Sequence, residues 1–165
     1  MALNGYARLT LNGTALTGDV SVDHVGSVDV QSDHVEVQRL TFGADVARAP
    51  GSGQATGRRQ YQPIRFVKRI DRSTPLLYRA LAQNERVAGD ILLFDLNPDD
   101  GTLRHFFTVT IANGVVSGIS SVLPDTRDTQ QSWDAYEEVS LTFASITLTH
   151  DPTGTEMQDQ FGRFL

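Results

Sequence analysis

The histidines His24, His34, His105 and His150 are where metal or acid–base chemistry would be sought first. None is spaced as His-x-His or His-x3-His, the patterns that aim two imidazoles at one metal from a strand or helix. Surface or hydrogen-bonded histidines are therefore the expectation. Asp95-x-Asn97-x-Asp99 begins like a calcium loop, but Asp100 stands where a glycine is required and Phe106 where a bidentate glutamate belongs. A polar hairpin turn explains the same residues. Gly51-Ser52-Gly53 shares only its glycines with a phosphate loop, since no Gly-Lys-Ser/Thr follows and no helix opens there. No serine lies in Gly-x-Ser-x-Gly. The chain has no cysteine, which removes disulfides, thiolate metal sites and a cysteine nucleophile. These residues point to a protein that is not an enzyme and uses no cofactor or metal.

Other residues suit recognition better than catalysis. Arg58 and Arg59 precede Gln60 and Tyr61, and arginine and tyrosine are enriched at protein interfaces because they combine area with directional hydrogen bonds. Ahead of them lies 44–57, ADVARAPGSGQATG, which has no aromatic residue and only Val46 among the large aliphatics. Such a segment can bury little core of its own, while its small residues let a backbone lie close to another surface. Arg48, Pro50, Gly51, Gly53, Arg58, Arg59 and Tyr61 are thus the candidate residues of a subunit interface. Trp133, near Asp125, Arg127 and Asp134, is the one feature that favours a sugar-binding surface.

The elements that must position these residues are mostly strands. Ala7, Leu9 and Leu11 share one face of a half-buried strand that ends at Asn12-Gly13. Shorter runs follow around 20–22 and 28–30, and a longer one covers 34–43 with Val35 and Val37 on one face. In 60–71, Ile64, Phe66 and Ile70 share a side that Lys68 interrupts, so the centre of that strand is expected to meet solvent or a partner. Pro63 suits the strand's first residues or an edge. Ser73 as N-cap, Pro75 in the first turn and Leu77, Ala80 and Leu81 at helical spacing predict a helix over 74–84. Strands resume at 90–96. Phe107, Val109 and Ile111 then alternate up to Asn113-Gly114, a strong hairpin signal. In 137–149, Val139, Leu141 and Phe143 fall out of phase with Ile146 and Leu148, which implies a bulge or layer crossing near Ala144-Ser145. The pattern implies a mainly β fold, a compact antiparallel β-barrel or sandwich with one short helix. Residues 1–150 read as a single domain. The remainder, 151–165, reads as a frayed C-terminal tail with a docking contact at Phe161, Phe164 or Leu165.

Length and composition agree with one packed domain. The chain has 165 residues, of which 39% are apolar and 21% charged, a balance that favours a core over disorder. Its formal net charge of −6 argues against a general nucleic-acid binder. The first residues are polar and alternating, so no signal peptide is read, and no apolar run approaches a membrane span. The expectation is a protein made in the cytoplasm, without membrane insertion, that leaves the cell only through a dedicated machine.

The segment 57–81, GRRQYQPIRFVKRIDRSTPLLYRAL, joins a glycine, basic residues, a strand containing Lys68 and the run Ile70-Asp71-x-Ser73-x-Pro75-Leu76-Leu77. In this it resembles the haemolysin-coregulated proteins, the tube subunits of type VI secretion. HVEVQRLTFG at 34–43, FFTVTIANGVVSGI at 106–119 and EEVSLTFASITLTH at 137–150 agree with the same family, in order, over about residues 3–150. The resemblance implies a β-barrel of two antiparallel sheets with a flanking helix. It also implies a homo-hexameric ring, stacking of rings into a hollow tube, sheath and spike proteins as partners, small effectors in the lumen, and secretion. The family's long loop corresponds to 44–57 and reaches a neighbouring subunit. Segment 14–33 departs from the family pattern, and the tail after His150 exceeds its usual end. Outside this resemblance, the residues leave open a monomeric β-sandwich that binds a sugar or small molecule, and a barrel hydrolase with scattered catalytic residues. A phage-type tail tube is the nearest structural alternative.

Overall fold

In a computed structural model that describes residues 3–161, the alternating runs form strands. In chain order they are β1 (Gly5–Leu11), β2 (Thr14–Ala15), β3 (His24–Val25), β4 (Val28–Asp29), β5 (Val35–Val37), β6 (Arg39–Thr41), β7 (Ala44–Asp45), β8 (Gln60–Tyr61) and β9 (Ile64–Arg69). Helix α1 (Ser73–Gln83) follows, then β10 (Val87–Leu96), β11 (Leu103–Val122), β12 (Tyr136–Thr142), β13 (Ser145–His150) and β14 (Thr155–Gln160). The fold is mainly β with one helix among the described residues. In place of the two sheets expected, pairing gives one 10-stranded sheet, ordered β2-β1-β10-β11-β12-β9-β6, with β5 also on β1 and with β13 and β14 branching from β11. Two separate two-stranded ribbons, β3-β4 and β7-β8, complete it. Segment 35–41 serves two neighbours, since β5 pairs with β1 and β6 with β9, all antiparallel.

Period-two burial builds the core. Ala7, Leu9 and Leu11 of β1 are buried with Val35, Val37, Ile64, Phe66, Ile91, Leu141 and Ile146 in the main cluster. The opposite face of β1 is covered as well, because Tyr6 packs edge-on to Phe94 and closes a second cluster with Val25 and Val30. Leu77 and Ala80 bury one face of α1, whereas Leu81, expected on that face, is exposed. Asn84 ends the helix in the left-handed conformation, as asparagine can at little cost.

Further expectations are corrected. Asn113-Gly114 is not a hairpin turn, because β11 runs straight through it. Only Asn113 has positive φ there, at 51°, whereas the two-residue hairpin turn needs it at both positions. The strand bends at this point, where β11 passes from β13 to β12 opposite Phe143 and Ala144, so the phase break read near Ala144-Ser145 is a bend shared by both strands. Gly114 suits the bend because a Cβ would lie 3.0 Å from both Thr142 O and Val87 O, a tight contact that the neighbouring backbone would have to relieve. Ser73 is not the N-cap. Its backbone is already helical, and the Asp71 carboxylate takes its N–H at 2.8 Å and its hydroxyl at 2.5 Å. The tail is not frayed over 155–160, which pairs with β13 from Ser145↔Gln160 to His150↔Thr155. Phe164 and Leu165 lie outside the described residues.

Lys68 does not face solvent either. It is fully buried opposite Glu137, also fully buried, its cross-strand partner between β9 and β12. The Lys68 ammonium donates to Glu137 Oε1 at 2.6 Å and to the Arg69 carbonyl at 2.6 Å, and lies 2.9 Å from Asp71 Oδ1. The Thr74 hydroxyl donates to Glu137 Oε1 at 2.9 Å and the Ser121 hydroxyl to Oε2 at 3.1 Å. Burial pushes the Asp71 carboxyl up, but hydrogen bonds from the Ser73 hydroxyl, the Asp19 N–H and Lys68 outweigh it and hold the group below its ordinary value. Among the described residues no buried side-chain polar atom lacks a partner.

Two outcomes test this account. Lys68→Met should lower stability by about 3–5 kcal/mol by leaving Glu137 buried and unpaired, and adding Glu137→Leu should restore most of the loss. Urea midpoints at fixed protein concentration check it, and a double variant no better than the single one contradicts it. Gly89 sits at φ +143°, where a Cβ would lie 2.1 Å from the Arg8 carbonyl oxygen, whereas Gly13, at φ +83°, has open space around it. Gly89→Ala should thus cost more than about 3 kcal/mol, and Gly13→Ala only about 1 kcal/mol, in the same titration.

Candidate functional site

Residues 44–61 form an ordered arm rather than an irregular loop. β7 and β8 pair through Ala44↔Tyr61 and Asp45↔Gln60, and an isolated bridge joins Arg48 to Ala55. Between them the Thr56 N–H donates to Ala47 O at 2.8 Å and the Ala49 N–H to Gln54 O at 2.8 Å. Alternation failed to announce this ribbon because both of its faces meet solvent: every residue from 50 to 60 is exposed. With no buried face, nothing selects apolar residues at every second position.

The seven candidate residues do not form one cluster. Pro50, Gly51 and Gly53 make the exposed tip, and Arg48 is spent within it, its Nη1 donating to Gly53 O at 3.0 Å. Arg58 is exposed on the returning limb. Arg59 and Tyr61 come together at the root, on a residue that sequence reasoning missed. The Arg59 guanidinium donates from Nε and Nη2 to both carboxylate oxygens of Asp159 in β14, and the Tyr61 hydroxyl donates to Asp159 Oδ2 at 2.8 Å. The Tyr61 ring stacks on Phe161 at 4.4 Å and 15°, and both rings stand edge-on to Phe143. Hydrogen bonds from Arg59 first and Tyr61 second hold the Asp159 carboxyl below its ordinary value. Alternation marks this strand only weakly, since Met157 and Phe161 share the face of Asp159 while Glu156, Gln158 and Gln160 lie opposite, and nothing in the pattern singles out the carboxylate.

The other chemistry-bearing residues are engaged locally. His24 pairs with Asp29, His34 with Asp33, and His150 with the Thr153 hydroxyl. His105 Nε2 lies 2.9 Å from the Thr108 hydroxyl, which also meets Asp151. In the calcium-like stretch, Asp95 pairs with Arg104 and Asn97 Oδ1 accepts the Asp99 N–H at 3.0 Å, as a polar turn requires. Trp133 is exposed beside an open groove of about 470 Å³ shared with Gln38, Arg39, Arg69 and Tyr136. The arginines there are paired, Arg69 with Asp134 and Arg39 with Glu138.

Comparison with known proteins adds to this geometry. A family described as "Type VI secretion system effector, Hcp" matches residues 9–150. The "Major exported protein" of Pseudomonas aeruginosa is 28% identical over 166 residues, covering 98% of this chain and 96% of that protein. The fold is similar to a solved Hcp protein, with TM-score 0.82 and 21% identity over 99% of this chain and 100% of the other. It is also similar to Hcp1 from E. coli EAEC 042, with TM-score 0.77 and 24% identity over 98% and 100% of the two chains. β14 and Asp159 lie beyond the span that the family matches.

The depressed titration of Asp159 sets a pH window. Its contact with Arg59 should be complete above the ordinary carboxyl value of 3.8 and lost only as pH falls through the lower value of the folded state. A carboxyl-carbon NMR titration should show Asp159 still ionised where exposed aspartates are half protonated. Titration at or above 3.8 contradicts the contact.

Proposed function

Because the chain belongs to the Hcp family of type VI secretion system effectors, a structural family of the secretion machinery rather than an enzyme family, we propose that it is the tube subunit of a contractile injection system. Six copies close into a ring, rings stack into a hollow tube, and the lumen carries small effector proteins. The sheath and spike of the machine are its other partners. The chain is made in the cytoplasm and exported by the machine itself, in keeping with a relative named as an exported protein. No described helix is long and apolar enough to cross a membrane. Residues 1–150 act as one domain with 151–165 as its appended tail. The domain is read as a β-barrel flanked by α1, a reading supported by segment 35–41 pairing with β1 on one side and β9 on the other.

The observation that carries this reading on the chain itself is the arm. Apart from Tyr61 at its root, which packs against the main core cluster, this exposed ribbon is hydrogen-bonded within itself and joins neither cluster. Fixing the backbone of an ordered residue costs roughly 1–2 kcal/mol of conformational entropy, and burial of the arm in the subunit does not offset that cost. Contact with a second subunit would, and Arg58 and the small residues at the tip suit such a contact. The groove beside Trp133 would serve the rival reading of a monomeric sugar binder.

Sedimentation of the purified protein should give a hexamer across micromolar concentrations, and a stable monomer would overturn the proposal in favour of that rival. Replacing 46–55 by a short Gly-Ser linker should leave the far-ultraviolet dichroism unchanged and weaken assembly by mass and electron microscopy. Equal assembly across a range of salt would remove the arm from the mechanism.

A further inference from the structure

We propose that β14 is a clamp that fixes the direction in which the arm projects, with Asp159 as its positioning residue, and that ring or tube assembly depends on this. The inference rests on the reading of the arm as an assembly element. It begins from an oddity of β14. From Thr155 to Gln160 its side chains join neither apolar cluster, and every one is exposed except Asp159. A strand that buries so little adds little to the core, so its use lies in what its one half-covered side chain touches. That side chain meets Arg59 and Tyr61 of the arm.

The arm needs such a contact. Its internal hydrogen bonds fix its shape, but shape is not direction. Toward the main sheet, its backbone leads out through Gly43 and back through Gln62, whose N–H donates to Gly43 O at 2.9 Å. A ribbon held only through that narrow neck would pivot. The root contacts remove the pivot. Two guanidinium nitrogens of Arg59 on two oxygens of one carboxylate form a planar, directional pair. The Tyr61 hydroxyl reaches the same carboxylate, and Tyr61 is pinned between Phe161 and Phe143. Phe161 is itself held by its N–H on the Ala144 carbonyl at 2.9 Å. All of these contacts come from the returning limb of the arm and end on the last described residues or on the strand bend beside them. An arm pointed before association loses less freedom on docking than one that must be ordered by the neighbour.

The chain has no cysteine, so a pair of spin labels can be placed cleanly at Ser52→Cys on the tip and Ser120→Cys on β11. Labelled chains are diluted into excess unlabelled protein, so that each distance is measured within one subunit. The parent should give a narrow distance distribution. Asp159→Ala should broaden it, with an unchanged urea midpoint, and raise the concentration at which assemblies dissociate by at least tenfold. The exchange Arg59→Asp with Asp159→Arg should narrow the distribution again and recover assembly, which mere removal of a surface charge would not predict. An equally narrow distribution in Asp159→Ala overturns the clamp, and a broad one with undiminished assembly overturns its role in assembly. If the parent does not assemble, the tube reading fails, while the distance distribution still decides the clamp.

Discussion

An ammonium and a carboxylate buried face to face between β9 and β12 constrain the rest of the structure. Lys68 and Glu137 are both fully buried, and removing two such charges from water costs several kcal/mol per ion before any attraction is regained. The cost falls on every alternative arrangement too, which is why the pair specifies as well as stabilises. A slip of one residue in the β9–β12 register would turn Lys68 to the opposite face and leave Glu137 in the core without its cation. The same ammonium approaches Asp71, whose carboxylate holds the first turn of α1. One contact therefore fixes a strand register and the place where the helix begins.

From that fixed point the geometry reaches the exposed arm. β9 follows β8 across Pro63, so the strand held by the Lys68–Glu137 pair is the one that leads back to the root of the arm. On the other side, the bend shared by Asn113-Gly114 and Phe143-Ala144 lets one long ribbon change neighbours, from β13 to β12 along β11. β13 then presents β14 beside the returning limb. Arg59 and Asp159 are 100 residues apart in the chain, and they meet because both the register and the bend are set upstream.

The fold was legible where one face of an element is buried. Ala7, Leu9 and Leu11 are core as their alternation implied, as are Val35 and Val37, Leu77 and Ala80, and Val139 and Leu141. It was illegible where charge enters the core or where both faces meet solvent. Lys68 looked like an interruption because the sequence gives no sign of Glu137 opposite it. The arm and β14 have no buried face to write a period. Asn-Gly shows a third limit. At Asn12-Gly13 it turns a tight hairpin between β1 and β2, while at Asn113-Gly114 it lets a strand bend. The dipeptide reports only that left-handed backbone is tolerated, and tertiary pairing decides its use. Of the candidate site, the sequence suggested Arg59 and Tyr61 for a contact between subunits, whereas their contact with Asp159 inside the chain was not legible, since a single apolar residue, Met157, breaks the polar run 155–160.

The choice of an ion pair at the arm's root, rather than a larger apolar contact, follows from where the root sits. Strands β7 and β8 leave the sheet through exposed backbone, and an apolar patch there would itself invite unwanted association. A bidentate arginine–carboxylate pair holds direction, and the Tyr61 ring beside it stacks on Phe161 and stands edge-on to Phe143. Such a contact is weak as a source of stability, because exposed ion pairs contribute little on average. It is adequate for choosing among orientations that are otherwise nearly equal in energy. The buried pair at Lys68 and the exposed pair at Arg59 thus do different physical work with similar groups. The first makes wrong registers costly by desolvation, and the second selects a direction where no desolvation is available.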